Sequence, residues 1–288
     1  MIAAWREAWR RWRERGVLAR RAIPDPLWRR TLKRFPFLPR GDERELRLRR
    51  LTSLFLDRKE FSGAHGLVVT DDIAVAIAAQ ACLPVLELGL ARYDRFVGIV
   101  VHPGQARAQR RHEDEHGVWH EYEEVLSGEA LEGGPVMLSW RDVRGAGASA
   151  SRGYNVVIHE FAHVLDMEDG EVDGVPMLPA GLSRLRWIET IGEEFERFTQ
   201  AVESGVETAL DPYGAQAPEE LFAVASEAFF VSPALLLGEH PKLYALLRDF
   251  YRQDPAAAEA AGAHTPTGDA SHPASGADDP GPPAPPAA

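Results

Sequence analysis

Three features of the sequence predict an α+β fold. Residues 41–95 carry apolar positions at helical spacing, and from Phe96 the period shifts to that of strands, over Phe96–Val101, Val118–Leu126 and Val136–Trp140. An almost wholly apolar helical run, Asn155–Asp166, follows directly. Strands followed by helices predict a small antiparallel or mixed sheet, drawn here as a three-stranded meander, packed on that run and on further helices.

In order along the chain, residues 1–22 read as an amphipathic helix with Trp5, Trp9 and Trp12 on one stripe, docked on the body rather than on a membrane surface. Residues 23–40 hold four prolines and read as an extended connector. Asp42 opens a helix running to about Lys59, and a loop with a short strand at Val68-Val69 leads to a second helix capped by Asp71 or Asp72. The stretch Ile73–Ala91 is interrupted by Gln80, Pro84 and Glu87, so it reads as core and not as a membrane span. Ser149 or Ser151 is the candidate N-cap of the apolar run, whose end falls near Asp169-Gly170. A long helix over 182–202, a helix opening at Pro218 and a last helix over 241–251 complete the body. From Asp254 onward no residue is Val, Ile, Leu, Met, Phe, Trp, Tyr or Cys, which predicts a disordered tail. The expected divisions are a basic arm and connector (1–40), a helical part packed on the body (41–95), the body domain (96–253) and the tail (254–288).

Apolar content of 45% and charged content of 26% are those of an ordinary globular protein. The first fifty residues hold 16 Lys and Arg against 6 Asp and Glu, so a basic arm precedes an acidic remainder within a chain of net charge -12. Such an arm suits an anionic surface or the acidic body, and no direct nucleic-acid binding is expected. The N-terminus has charge without an apolar signal core, and the single cysteine, Cys82, excludes an internal disulfide framework. Both point to a reducing cytoplasm.

The apolar run contains His159-Glu160-x-x-His163. Residues four apart share one helix face, so both imidazoles can reach one metal ion with Glu160 beside it as general base. Two histidines and a glutamate in so apolar a helix need partners, since burying them alone costs several kcal/mol. The spacing of His112, His116 and His120 is also fourfold, but Gly117 interrupts any helix and the surroundings are acidic, so they read as a solvated loop entering a strand. The third ligand must come from downstream carboxylates. Asp166 lies one turn beyond His163 and suits the task of orienting a ligand imidazole. The apolar helix from Pro218 carries Glu220 and Glu227 seven apart on one face, and either is a candidate.

The motif His159-Glu160-x-x-His163-x-Leu165-Asp166, the loop Gly174-Val175-Pro176, Asp211-Pro212-Tyr213, and Pro218-Glu219-Glu220-Leu221-Phe222-Ala223-Val224 with Ser226-Glu227 resemble the Mlc titration factor A family of zinc peptidases. Cys82-Leu83-Pro84-Val85-Leu86 and Gly134-Pro135-Val136 are similar to it as well, so the resemblance spans about residues 45–253. It implies a zincin-like fold of the gluzincin type over 96–253, with Zn²⁺ held by His159, His163 and Glu220. The family is in turn similar to the catalytic domain of anthrax lethal factor, which implies that Tyr213, seven residues before Glu220, assists catalysis. Glu227 or Asp166 is then left to orient a ligand imidazole. The resemblance further implies an aminopeptidase-like activity on a peptide or protein substrate. As the alternative, it implies a regulatory protein that sequesters a transcriptional repressor of sugar-uptake genes. The strand Val136–Trp140 is expected to be the edge that receives a peptide as an added strand.

Overall fold

The computed structural model describes residues 5, 13–104, 106–113, 119–126, 128–130, 133–150 and 153–263. Helical residues 13–20 form α1; then come α2 (Asp25–Arg34), α3 (Glu43–Arg58), β1 (Glu60–Gly63), α4 (Asp71–Cys82), β2 (Gly98–His102), β3 (Ala106–Glu113), β4 (Trp119–Leu126), β5 (Gly128–Ala130) and β6 (Val136–Ser139). The remainder is helical: α5 (Trp140–Ser149), α6 (Val156–Asp166), α7 (Arg184–Glu203), α8 (Pro218–Val231), α9 (Pro233–Glu239), α10 (Pro241–Tyr251) and α11 (Pro255–Ala263). The α+β class read from the sequence is the class observed.

The sheet is not a meander. Its order is β1-β2-β6-β5: β1, β2 and β6 run parallel, and β5 pairs antiparallel with β6 at the edge. Parallel neighbours require crossovers, and α4 supplies the one between β1 and β2. The segment around Val118–Leu126, expected as the middle strand, pairs instead with β3 in a separate two-stranded sheet, from Ala106↔Leu126 to Glu113↔Trp119. The physical reason is burial. Ile99, Val101, Val136 and Leu138 are all buried, and β2 and β6 place them side by side. The intervening segment, rich in Glu, has no comparable apolar face to offer the core. Consequently β6 is interior, and the free edge on the α6 side is β5; the expectation that Val136–Trp140 is an open edge is overturned, and Trp140 starts α5.

Several local expectations change for identifiable reasons. The connector contains α2, because Pro24 precedes it and Pro26 falls in its first turn, where a missing N–H costs nothing. It buries Leu27, Trp28 and Leu32. The strand expected at Val68-Val69 lies at Glu60–Gly63, and Thr70, not an aspartate, caps α4 by accepting from the Ile73 N–H. The tail opens with α11, for which alanine's high propensity and Pro255 in the first turn suffice. Residues 264–288 lie outside those described, as do Trp9, Trp12 and His116; Trp5 is 71% exposed, so it is not docked. Behind it, Val17 is buried and Glu14 pairs with Arg50 on α3. No helix among the described residues is long and apolar enough to cross a membrane.

The core centres on α6. One flank packs on α8 and α4, the other on β5 and β6. Phe161 meets the rings of Phe55, Tyr93 and Phe96 at centroid distances of 5.8, 5.0 and 5.7 Å, in tilted and edge-on geometry. Lys59 seals this cluster: its ammonium donates to the carbonyls of Tyr93 and Phe96, and burial pulls its pKa down to about 8. Phe161→Ala should empty the centre of the cluster and lower the unfolding free energy by about 3–5 kcal/mol, read as a lower urea midpoint at unchanged slope.

Candidate active site

Asn155, not Ser149 or Ser151, caps α6: its side chain accepts from the Ile158 N–H at 3.0 Å. Its amide nitrogen donates to Gln80 Oε1 on α4 at 2.9 Å, and its backbone N–H donates to Glu227 Oε2 on α8. The other oxygen of that carboxylate, Oε1, lies 2.8 Å from His159 Nδ1. Gln80, Asn155 and Glu227 are almost wholly buried. A continuous polar file, Gln80–Asn155–Glu227–His159, thus crosses three helices inside the core. With its Nδ1–H donating to Glu227, His159 presents the Nε2 lone pair outward.

That lone pair faces two others. His163 Nε2 is 3.2 Å from His159 Nε2, and Glu220 Oε2 is 3.3 and 3.4 Å from the two nitrogens. Glu220 Oε2 is buried, and the three ligand atoms converge within 4.8 Å of one another. Among the described residues this is the one group of three His, Cys, Asp or Glu side chains able to hold a metal ion. The triangle fits such an ion: three donors at tetrahedral angles, each about 2.0–2.1 Å from a common centre, lie about 3.3–3.4 Å apart. Burial works against the Glu220 charge, but hydrogen bonding and attraction from the two imidazoles prevail and bring its pKa down to about 2. Burial likewise opposes charging His159, yet Glu220 and Glu227 hold its pKa well above the ordinary histidine value. Burial raises the Glu227 pKa despite its two acceptor bonds.

Glu160 sits one residue round α6 from His159 and is 5% exposed. Its carboxylate lies against Gly128 of β5. Tyr213 is on a 3-10 turn, Pro212–Ala215, where the Asp211 side chain accepts from its backbone N–H at 2.9 Å. Its ring is 6.0 Å from that of His159 and 38% exposed, which puts it on the rim. Asp166 is placed otherwise than expected. Instead of reaching a ligand imidazole, Oδ2 accepts from the Gly174 N–H at 2.9 Å, while Oδ1 is buried without a partner. Gly174 in turn abuts Pro218, where its φ of +74° and the nearness of the Pro218 carbonyl both demand glycine. Asp166 thereby ties the end of α6 to the start of α8, the helix that presents Glu220. His112 and His120 are paired in register on β3 and β4, outside this group.

Sequence reasoning missed three contributors: Asn155, Gln80 and Gly128. Gln80 left a signal, as an uncharged polar residue deep in the apolar stretch Ile73–Cys82; Asn155 left the weaker one of an N-cap residue directly before the apolar run. Gly128 left none, because only its place in the fold brings it to Glu160.

Kinship agrees with a metal centre in this chain. The family model described as glucose-regulated metallo-peptidase M90 matches residues 8–252. The chain belongs to the M90 metallopeptidases. An uncharacterised protein of Synechocystis is 36% identical over 250 residues, covering 86% of this chain and 90% of that protein. Proteins called Mlc titration factor A from Pectobacterium atrosepticum and Cronobacter sakazakii are 35% and 34% identical, over 76% and 75% of this chain and 83% and 81% of their own lengths. The resemblance read from the motifs therefore holds over most of the chain.

Two measurements test this M90 site. Glu227→Gln should weaken metal binding about 10- to 100-fold in chelator competition, because the imidazole loses its charged acceptor. Asp166 makes a pH prediction. Burial pushes its carboxyl up from the ordinary range to about 7, so the folded chain keeps a proton that the unfolded chain releases near pH ~4. The stability this supplies is fully present below pH ~4 and is lost as the pH rises towards about 7. The melting temperature of chelated protein should fall more steeply across that window in wild type than in Asp166→Asn.

Proposed function

We propose that the chain is a zinc-dependent peptidase of the zincin type, in which His159, His163 and Glu220 hold the ion. The observation that carries this reading is the 3.2–3.4 Å triangle of ligand atoms with a buried carboxylate one residue away on the same helix. When bound, zinc supplies a positive charge that acidifies water towards neutrality and polarises a carbonyl. Glu160 takes the proton from the attacking water and passes it to the departing amine. Tyr213, on the rim, donates its phenolic hydrogen to the oxygen that gains charge, a contribution of a few kcal/mol in comparable sites. The unpaired side of β5 receives the substrate backbone as an added strand. The substrate is a peptide or protein and the cleavage is aminopeptidase-like. We place the enzyme in a reducing cytoplasm, a reading supported by a single, buried cysteine.

A second reading concerns regulation. Several relatives bear the name Mlc titration factor A. That name supports a role in which this chain binds a transcriptional repressor, and the two roles are compatible. Hydrolysis of a peptide panel should stop on chelation and return with zinc. Glu160→Gln should keep its zinc and lose about 10²- to 10⁴-fold in kcat. Glu220→Ala should lose the metal itself. A Glu160→Gln variant with full zinc and full activity overturns the assignment of the base. Capture of a repressor that survives both chelation and Glu160→Gln supports the binding role independently.

A further inference from the structure

Gly128 opens β5, the short edge strand that crosses α6. Its φ is not positive, so the backbone conformation there does not call for glycine. The reason for glycine is lateral. A Cβ at this position would lie 2.4 Å from Glu160 Oε1, 2.6 Å from Cγ and 2.7 Å from Cδ. Comfortable separations between such atoms are about 3.5–4.0 Å. The strand cannot withdraw to make room, because Gly128 pairs with Leu138 of β6 and the Leu138 side chain is buried. The atoms that must yield are instead the end of a flexible side chain, and they are those of the proposed base.

We propose that Gly128 is the positioning residue for Glu160: its bare Cα is the wall on which the carboxylate rests and which sets where the base meets water. This rests on the peptidase reading of the site. A glycine here has two effects at once. It lets the β5 backbone lie close to α6, and it leaves room for the carboxylate where it stands. Any side chain introduced at this position forces Glu160 to turn away, while His159, His163 and Glu220 keep their places.

The test is Gly128→Ala. Metal content and KM should stay near wild type while kcat falls about 100-fold, the loss that a misplacement of about 1 Å brings. On a Glu160→Gln background the same substitution should cost nothing further. Glu160→Asp, harmful in the wild-type background, should cost no further activity when combined with Gly128→Ala, because the shorter side chain avoids the new methyl. Wild-type kcat in Gly128→Ala, or an equal additional loss on the Glu160→Gln background, overturns the proposal. A stability cycle reads the contact without activity: Glu160→Ala should raise the melting temperature more in Gly128→Ala than in wild type, and should restore folding if Gly128→Ala alone does not fold. Additive shifts overturn the contact. If wild type hydrolyses none of the peptides, the peptidase reading fails, and the stability cycle alone then sustains or removes the Gly128–Glu160 contact.

Discussion

The hydrogen bond between Glu227 and His159 is the constraint on which the site depends. It lies inside the file Gln80–Asn155–Glu227–His159, which ties α4, α6 and α8 together through almost wholly buried polar groups. Each member satisfies its neighbour, and removing any one leaves an orphan that costs about 1–3 kcal/mol. The file therefore fixes the register of α8 on α6. Once Glu227 is locked to His159, a position seven residues earlier is carried about 10.5 Å back along α8 on the same face. That position is Glu220, and it arrives between the two imidazoles. One helix thus supplies both a candidate ligand and the brace of another, and the triangle of ligand atoms follows from two helical periods meeting at one hydrogen bond.

Charge explains why such a centre needs a cation. Glu160, Glu220, Glu227 and Asp166 put four largely buried carboxyl groups on or against α6, two of which, Glu220 and Glu227, face its histidines. Burial pushes Asp166 and Glu227 towards their neutral forms, whereas Glu220 stays charged because two imidazoles face it. In a dry interior, acids outnumbering bases is a costly arrangement. A divalent ion offsets that cost and satisfies Glu220 Oε2 and the imidazole lone pairs together. The groups proposed to bind the metal are thus among the polar groups that strain the apolar core.

The helical site was legible in the sequence because helix periodicity converts spacing directly into facing. His159 and His163 at four residues, and Glu220 and Glu227 at seven, require no knowledge of the rest of the fold. Spacing alone left Glu220 and Glu227 interchangeable, and the family motif separated them before the geometry gave each its own partner. The sheet was less legible. Which strand neighbours which depends on contacts distant in sequence, and short apolar runs at 96–101 and 136–140 give no sign that they pair directly and in parallel. The helices α2 and α11 were hidden by prolines and alanines that also occur in extended and unordered chain; what decides them is the face that packs. Leu27, Trp28 and Leu32 bury against the body, and Ala256 packs on the core. Of the two carboxylates that spacing offered for bracing an imidazole, Glu227 meets His159, whereas Asp166 turns to Gly174, which a returning loop invisible to helical spacing brings near.

The sheet order also decides which strand lies open beside Glu160. Because β2 and β5 flank β6, the backbone of Val136–Ser139 has no unpaired side to offer. Among the described residues the open strand there is β5, which pairs with no strand but β6 and whose first residue lies against Glu160. On the proposed reading, a peptide added to β5 is set at a fixed distance from the Glu160 carboxylate, because that strand and the carboxylate are in contact. Glu160 sits on a buried helix with Gly128 of β5 against its carboxylate. Tyr213 is held differently, on a short turn pinned by Asp211 at the rim. The carboxylate proposed to act on water is thus buried in the core, and the tyrosine proposed to meet the substrate's oxygen stands on the rim. That division follows from burial, since a base must be fixed before substrate arrives, whereas a rim tyrosine needs only to be in reach when the carbonyl is.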